Sequence, residues 1–158
     1  MVIRIRIGTP NDIKGILELC VQLAEYECAL INKVPNREEI SERVEKDLVY
    51  GKDNAYFVAE DGSNIIAVIK VSDRGNGIAR ISEAYTKPEY RNSGIMTTLF
   101  NRAVSWAAER GLNKVYLTIV KKNAVAHKFW KSLGFWDEEY IGDNIIKMYR
   151  DIEKVIGS

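Results

Sequence analysis

The chain has 158 residues, 46% of them hydrophobic and 28% charged, with 23 basic against 22 acidic side chains. That length suits one domain with a proper core, and the balanced charge lacks the clustered lysines and arginines that a nucleic-acid partner requires. No apolar run approaches the roughly 20 residues of a membrane span, so residues 1–158 are expected to form a single cytoplasmic domain without membrane or nucleic-acid partners.

VIRIRI, from Val2 to Ile7, alternates apolar residues with Arg4 and Arg6 and predicts a half-buried strand. A helix follows, with Thr9 as N-cap, Pro10 in the first turn, and Ile13, Ile16, Leu17, Cys20, Leu23 and Ala24 at helical spacing. Cys20 and Cys28 both fall on this helix, where roughly 12 Å of rise between them excludes a disulfide. A second, more polar helix has Asn36 and Glu39 at capping-box spacing, Ile40, Val44 and Leu48 on one face, and Gly51 as its stop. AYFVAE, the turn DGSN and IIAVIKVS predict a hairpin, which DRGNG extends into a third antiparallel strand from Ile78 to Thr86. Then come a helix from Ile95 to Arg110 closed by Gly111, the apolar strand KVYLTIV, and a helix from Asn123 to Leu133 closed by Gly134. FWDEEYIGDNIIKMYR ends the pattern as strand, turn and strand. The order predicts an α/β fold: a single mixed, mostly antiparallel sheet with helices on both faces. One helix joins the strand Ile78 to Thr86 to KVYLTIV, the crossover expected if those two lie parallel.

The stretch TKPEYRNSGIM, Thr86 to Met96, runs from the end of a strand directly into a helix. The first amides of a helix have no intrahelical acceptor, and Gly94 lets an anion approach the backbone, so the junction is suited to a phosphate or pyrophosphate.

A second stretch, NAVAHKFWKSLGF from Asn123 to Phe135, joins the first in a wider resemblance. Together they resemble the GNAT superfamily of N-acetyltransferases. Its first signature, Arg/Gln-x-x-Gly-x-Gly/Ala, is met by Arg91 and Gly94, with Met96 where Gly or Ala is usual. Its second, Asn-x-x-Ala-x-x-x-Tyr-x-x-x-Gly-Phe, is met by Asn123, Ala126, Gly134 and Phe135, with Trp130 in place of Tyr. The resemblance implies a GNAT-like acyl-CoA-binding fold with acetyl-CoA as cosubstrate. It implies that Arg91, Asn92, Ser93, Gly94, Ile95 and Met96 hold the pyrophosphate, and that Ala84, Tyr85 and Thr86 line the pantetheine arm between strands splayed at a bulge. Asn123, Ala126 and Trp130 are then expected near the thioester end, with the Met96 side chain turned toward the core.

The implied reaction is direct attack of a primary amine, on a small molecule or a protein, at the thioester carbonyl. Glu83 is the candidate base, the bland alternative being a solvated strand carboxylate paired with Arg80. Backbone amides near Tyr85 are the candidate oxyanion donors. An indole is no acid, so Trp130 leaves the usual proton donor's place to be filled by Tyr85, Tyr116, Tyr140 or Tyr149, or by nothing. His127, the only histidine, is expected on a solvated helix surface, and no Cys/His spacing suggests a metal. QLAEYE, Gln22 to Glu27, is similar to the end of the first helix in spermidine/spermine and thialysine acetyltransferases. Glu25, Glu27, Asp137, Glu138 and Glu139 are therefore candidates for drawing in a cationic amine. A homodimer paired through the strand-rich C-terminus is a further expectation. The competing class is a non-catalytic acyl-CoA-binding sensor or interaction module, suggested by Met96 and Trp130.

Overall fold

Alternation along one strand sets up the two faces of the molecule. In β2 (Asn54–Asp61), Tyr56 and Val58 pack to one side of the sheet, while Ala55, Phe57 and Ala59 pack to the other. The computed structural model describes residues 2–153 and carries this division through seven strands.

On the first face lie α1 (Ile13–Leu30) and α2 (Arg37–Tyr50), whose Ile16, Leu19, Cys20, Ile40 and Val44 bury against Tyr56, Val58 and Val68. Thr9 caps a 3-10 turn, Pro10–Asp12, that leads into α1, and its backbone N–H donates to Asp12 Oδ2 at 2.8 Å. Asn36 caps α2 as its spacing predicted, accepting from the Glu39 amide at 3.2 Å. On the second face α3 (Ile95–Glu109) and α4 (Ala124–Ser132) contribute Leu99, Phe100, Ala103, Ala107 and Trp130 to the larger core. Met96 packs against that core, as expected.

The remaining strands are β1 (Ile3–Ile7), β3 (Asn64–Asp73), β4 (Ile78–Thr86), β5 (Lys114–Val120), β6 (Trp136–Ile141) and β7 (Ile145–Asp151). They run in the order β1-β2-β3-β4-β5-β7-β6, with only the β4/β5 pair parallel. β7 inserts between β5 and β6, so the last strand is interior and the C-terminal edge belongs to β6. Local periodicity carries no information on which strand of a hairpin takes the inner place.

Two irregularities at β4 position the site. Lys70 pairs with Ser82 and Val68 with Tyr85, so Glu83 and Ala84 together oppose Ile69 in a β-bulge. Glu83 adopts a left-handed φ of 53°, a conformation that costs a non-glycine residue about 1 kcal/mol and tends to cluster where function requires it. On its other side β4 pairs with β5 at Ile78, Ala79 and Arg80 alone, opposite Lys114, Val115 and Tyr116. Beyond Arg80 the two strands diverge.

Candidate functional site

The divergence opens two connected cavities. A cleft of about 320 Å³ is lined by Ala84, Tyr85, Thr86, the loop Arg91 to Met96, and the start of α4. A second cavity of about 210 Å³ is lined by Glu27, Arg43, Arg80, Glu83 and Thr118. Leu23, Ala84, Asn123, Ala126 and Trp130 line both, and they mark the junction.

The cleft is shaped by backbone. Asn92 and Gly94 take left-handed φ values of 60° and 80°, a turn geometry that aims successive amides in one direction. Gly94 is the N-cap of α3 and no side chain caps that helix. The first helical bond runs from Thr98 N to Gly94 O, which leaves the amides of Ile95, Met96 and Thr97 without intrahelical acceptors. A Cβ at Gly94 would meet no atom within 4 Å, so glycine serves the turn and the open approach and not a tight packing contact. The Arg91 side chain is a strut: its Nε donates to the Thr86 carbonyl at 2.9 Å, and its guanidinium lies 5.3 Å from the centre of the Tyr85 ring. Ser93 Oγ donates to the Tyr90 carbonyl, and Tyr90 Oη donates to Asp61 at 2.6 Å, tying the loop to β2. The Thr86 hydroxyl is buried in the wall of the cleft and has no partner. A buried orphan hydroxyl beside free helix amides fits a ligand that brings both anionic and hydrogen-bonding groups, as acetyl-CoA does.

At the junction, Asn123 caps α4, its Oδ1 accepting from Ala126 N at 3.2 Å, which leaves its amide nitrogen as the group available to the cavities. Trp130 is 6% exposed and sits edge-on among Phe100, Phe129 and Phe135 with ring centroids 5.0–5.7 Å apart. The indole packs in this aromatic cluster while also lining both cavities.

The second cavity carries the charge. Glu83 Oε1 accepts from Arg43 Nη2 at 2.8 Å, so the carboxylate pairs with α2 and not with Arg80, as the simple strand reading had it. The bulge is the physical reason, because an extra residue re-aims the side chains that follow it. Arg80 instead has its guanidinium 5.9 Å from the Tyr116 ring. Burial raises Glu27 to about 7, and the Glu83 charge adds to the effect. The Cys20 thiol is pushed up by burial first and by Glu83 second, so it is an inert core group.

Several sequence candidates fall elsewhere. Of the four tyrosines considered as acids, Tyr85 alone lines either of these two cavities; Tyr116 packs on Tyr149 at 5.7 Å, and Tyr140 is 60% exposed. Asp137 is occupied by His127 Nε2 at 2.8 Å, so the lone histidine is tied to β6 and not merely solvated. Glu138 lies 3.7 Å from Lys114. Asp137, Glu138, Glu139 and Glu25 do not line the second cavity, whereas Glu27 does. Arg43 and Tyr26 were missed. Arg43 meets a residue 40 positions away, and nothing local in α2 announces that.

Residues 22–135 match the acetyltransferase (GNAT) family. The thialysine N-epsilon-acetyltransferase of Bos taurus is 27% identical over 150 residues, covering 85% of each chain. An N-acetyltransferase of Methanocaldococcus jannaschii is 38% identical over 64 residues, 40% of this chain but only 28% of that protein's length. In fold, the PaiA N-acetyltransferase of Thermoplasma acidophilum, solved in complex with coenzyme A, superposes with a TM-score of 0.75 at 22% identity, covering 96% of this chain and 99% of its own. Among the described residues no group of side chains is placed to hold a metal ion, and no helix is long and apolar enough to cross a membrane. The family match spans more than half of the chain, and the chain therefore belongs to the acetyltransferase (GNAT) family, as an N-acetyltransferase that uses acetyl-CoA.

Proposed function

We propose that the loop and the splayed strands hold acetyl-CoA and that the acidic cavity receives a primary amine, carried by a small molecule or by a protein. The observation that supports this division is the pair of cavities meeting at Ala84, Asn123, Ala126 and Trp130. In this reading the amides of Ile95, Met96 and Thr97, on the nest made by Arg91 to Gly94, bind the pyrophosphate. Ala84, Tyr85 and Thr86 line the pantetheine arm. Asn123, Ala126 and Trp130 enclose the thioester end. The bound cosubstrate supplies an activated acetyl carbonyl.

The acceptor enters as an ammonium, drawn by Glu27 and Glu83, and must lose a proton before it can attack. Glu83 is assigned as the base, directly or through water, since it lies on the bulge next to the junction. The Tyr85 backbone amide is assigned to the negative charge that develops on the carbonyl oxygen. No protein acid is assigned to the departing sulfur. A thiol of ordinary acidity, pKa about 8.5, leaves readily as thiolate near neutral pH, so Trp130 need only pack. Dimerisation through the exposed β6 edge, where Trp136, Tyr140 and Ile141 are 41–60% exposed, and a cytoplasmic location complete the proposal.

The direct test is release of free CoA thiol from acetyl-CoA with a panel of small amines, polyamines and peptides. Turnover with any of these supports the assignment. Binding of CoA without turnover across the panel would return the chain to the sensor class.

A further inference from the structure

The acceptor cavity contains more charge than an amine needs. Its lining includes two carboxylates, Glu27 and Glu83, and two guanidiniums, Arg43 and Arg80. Arg43 and Glu83 satisfy each other at 2.8 Å. Glu27 and Arg80 remain, and among the described residues neither makes an ion pair with the other or with any third group.

Arg80 is the more telling of the two. Its Nε is buried and has no hydrogen-bond acceptor among the described residues. The Tyr116 ring nearby can take the guanidinium face, which leaves the in-plane Nε–H unsatisfied. A buried donor without a partner is costly, and a guanidinium presents its donors in a fork that matches a carboxylate. Across the cavity, burial and the Glu83 charge favour the protonated form of Glu27, the condition of a carboxyl that waits for a cation. One ligand carrying both signs of charge would relieve both sites.

The spacing limits what that ligand is. Arg80 precedes Glu83 by three residues on β4, about 10 Å between their Cα atoms at 3.3 Å per residue. It stands at the closed end of the splay, where β4 still pairs with β5, while the junction with the cofactor cleft lies at Ala84. The amine pole therefore sits near the bulge and the anionic pole toward the closed end of the splay. A second ammonium at that far end, as in a diamine or polyamine, would face Arg80 and be repelled.

We propose that the acceptor is a zwitterion whose free primary amine lies at Glu83 and Glu27 and whose carboxylate is held by Arg80. This rests on the acetyltransferase reading of the same site and narrows its substrate class: a lysine within a protein lacks the carboxylate.

The test compares kcat/KM for 6-aminohexanoate and for its neutral counterpart 6-aminohexanamide, with acetyl-CoA saturating. The acid is expected to exceed the amide by about tenfold or more, the size of a charge-assisted hydrogen-bonded pair. In Arg80→Gln that ratio falls toward one, and Arg80→Lys restores part of it. An amide used as well as the acid by the wild type overturns the proposal without any variant, as does a ratio that Arg80→Gln leaves unmoved. Either result leaves the acetyltransferase reading standing, because the amide is still acetylated. Absence of CoA release with both probes and with polyamines and peptides would sink that reading and the proposal together.

Discussion

The cleft we assign to the cofactor and the cavity we assign to the acceptor meet at the same side chains and are built in opposite ways. The cleft is made of backbone: two left-handed turns and three helix amides within residues 92–97, steadied by the Arg91 strut. The acceptor cavity is made of side chains brought from α1, α2, β4 and β5, with Glu27, Arg43 and Arg80 distant in sequence from one another. A site made of backbone is expected to tolerate varied side chains, and Met96 packs against the core beside it. A site made of long-range charges is retuned by a single substitution, and this is where chains of one fold diverge in substrate.

The largest effect that would break this contrast is on the cleft. CoA is expected to raise the melting temperature of the wild type, about 2.7 kcal/mol of stabilisation at a hundredfold excess over Kd. Gly94→Val should abolish the shift, because a β-branched residue cannot hold a φ of 80°. A retained shift would mean that the loop does not carry the anion.

Next in size is Glu83. Glu83→Gln is expected to lower kcat about a hundredfold while CoA affinity stays as it was. Equal losses in both would place Glu83 in the scaffold of the bulge and erase the boundary between the two cavities.

A smaller effect concerns pH and Glu27. Its native pKa is raised from 4.5 to about 7, so the folded chain keeps this proton through a range where the unfolded chain has lost it. The contribution of Glu27 to stability is therefore highest at low pH and falls as pH rises from 4.5 to 7. Denaturation across that window should show Glu27→Gln gaining on the wild type by about 2 kcal/mol between pH 5 and 8, in the absence of an amine. A constant difference would show that Glu27 is not confined as described.

The smallest expected change is at Trp130. Trp130→Phe should keep activity within a few-fold and cost about 1 kcal/mol of stability from lost edge contacts with Phe100, Phe129 and Phe135. The pH-rate profile should lack an alkaline limb. A limb that Tyr85→Phe removes would identify an acid in the cleft after all.

The same contrast decides how much could be read before the fold was seen. RNSG and NAVA state the cleft in contiguous letters, since a turn needs glycine at a particular place and a cap needs Asn at another. The element order, and with it the parallel pair, was legible from periodicity. For Glu83 the bland alternative of a pair with Arg80 gives way to Arg43, because a bulge replaces the period-two alternation with a step that no hydrophobic pattern records. The inner place of β7, the tie from His127 to Asp137 and the reach of Arg43 depend on contacts between elements, which local spacing does not encode.

The short β4/β5 ladder has a consequence for how the chain behaves in a cell. Past Arg80 each strand keeps its outer neighbour, β3 or β7, yet neither pairs with the other. The sheet therefore contains two strand edges in its middle, the kind of unsatisfied flank that elsewhere recruits foreign strands. Glu83 and Arg43 set charge beside one flank, and Trp130 closes bulk over the junction. The opening between the strands is thus flanked by charge and bulk, the devices that keep an exposed strand edge from pairing.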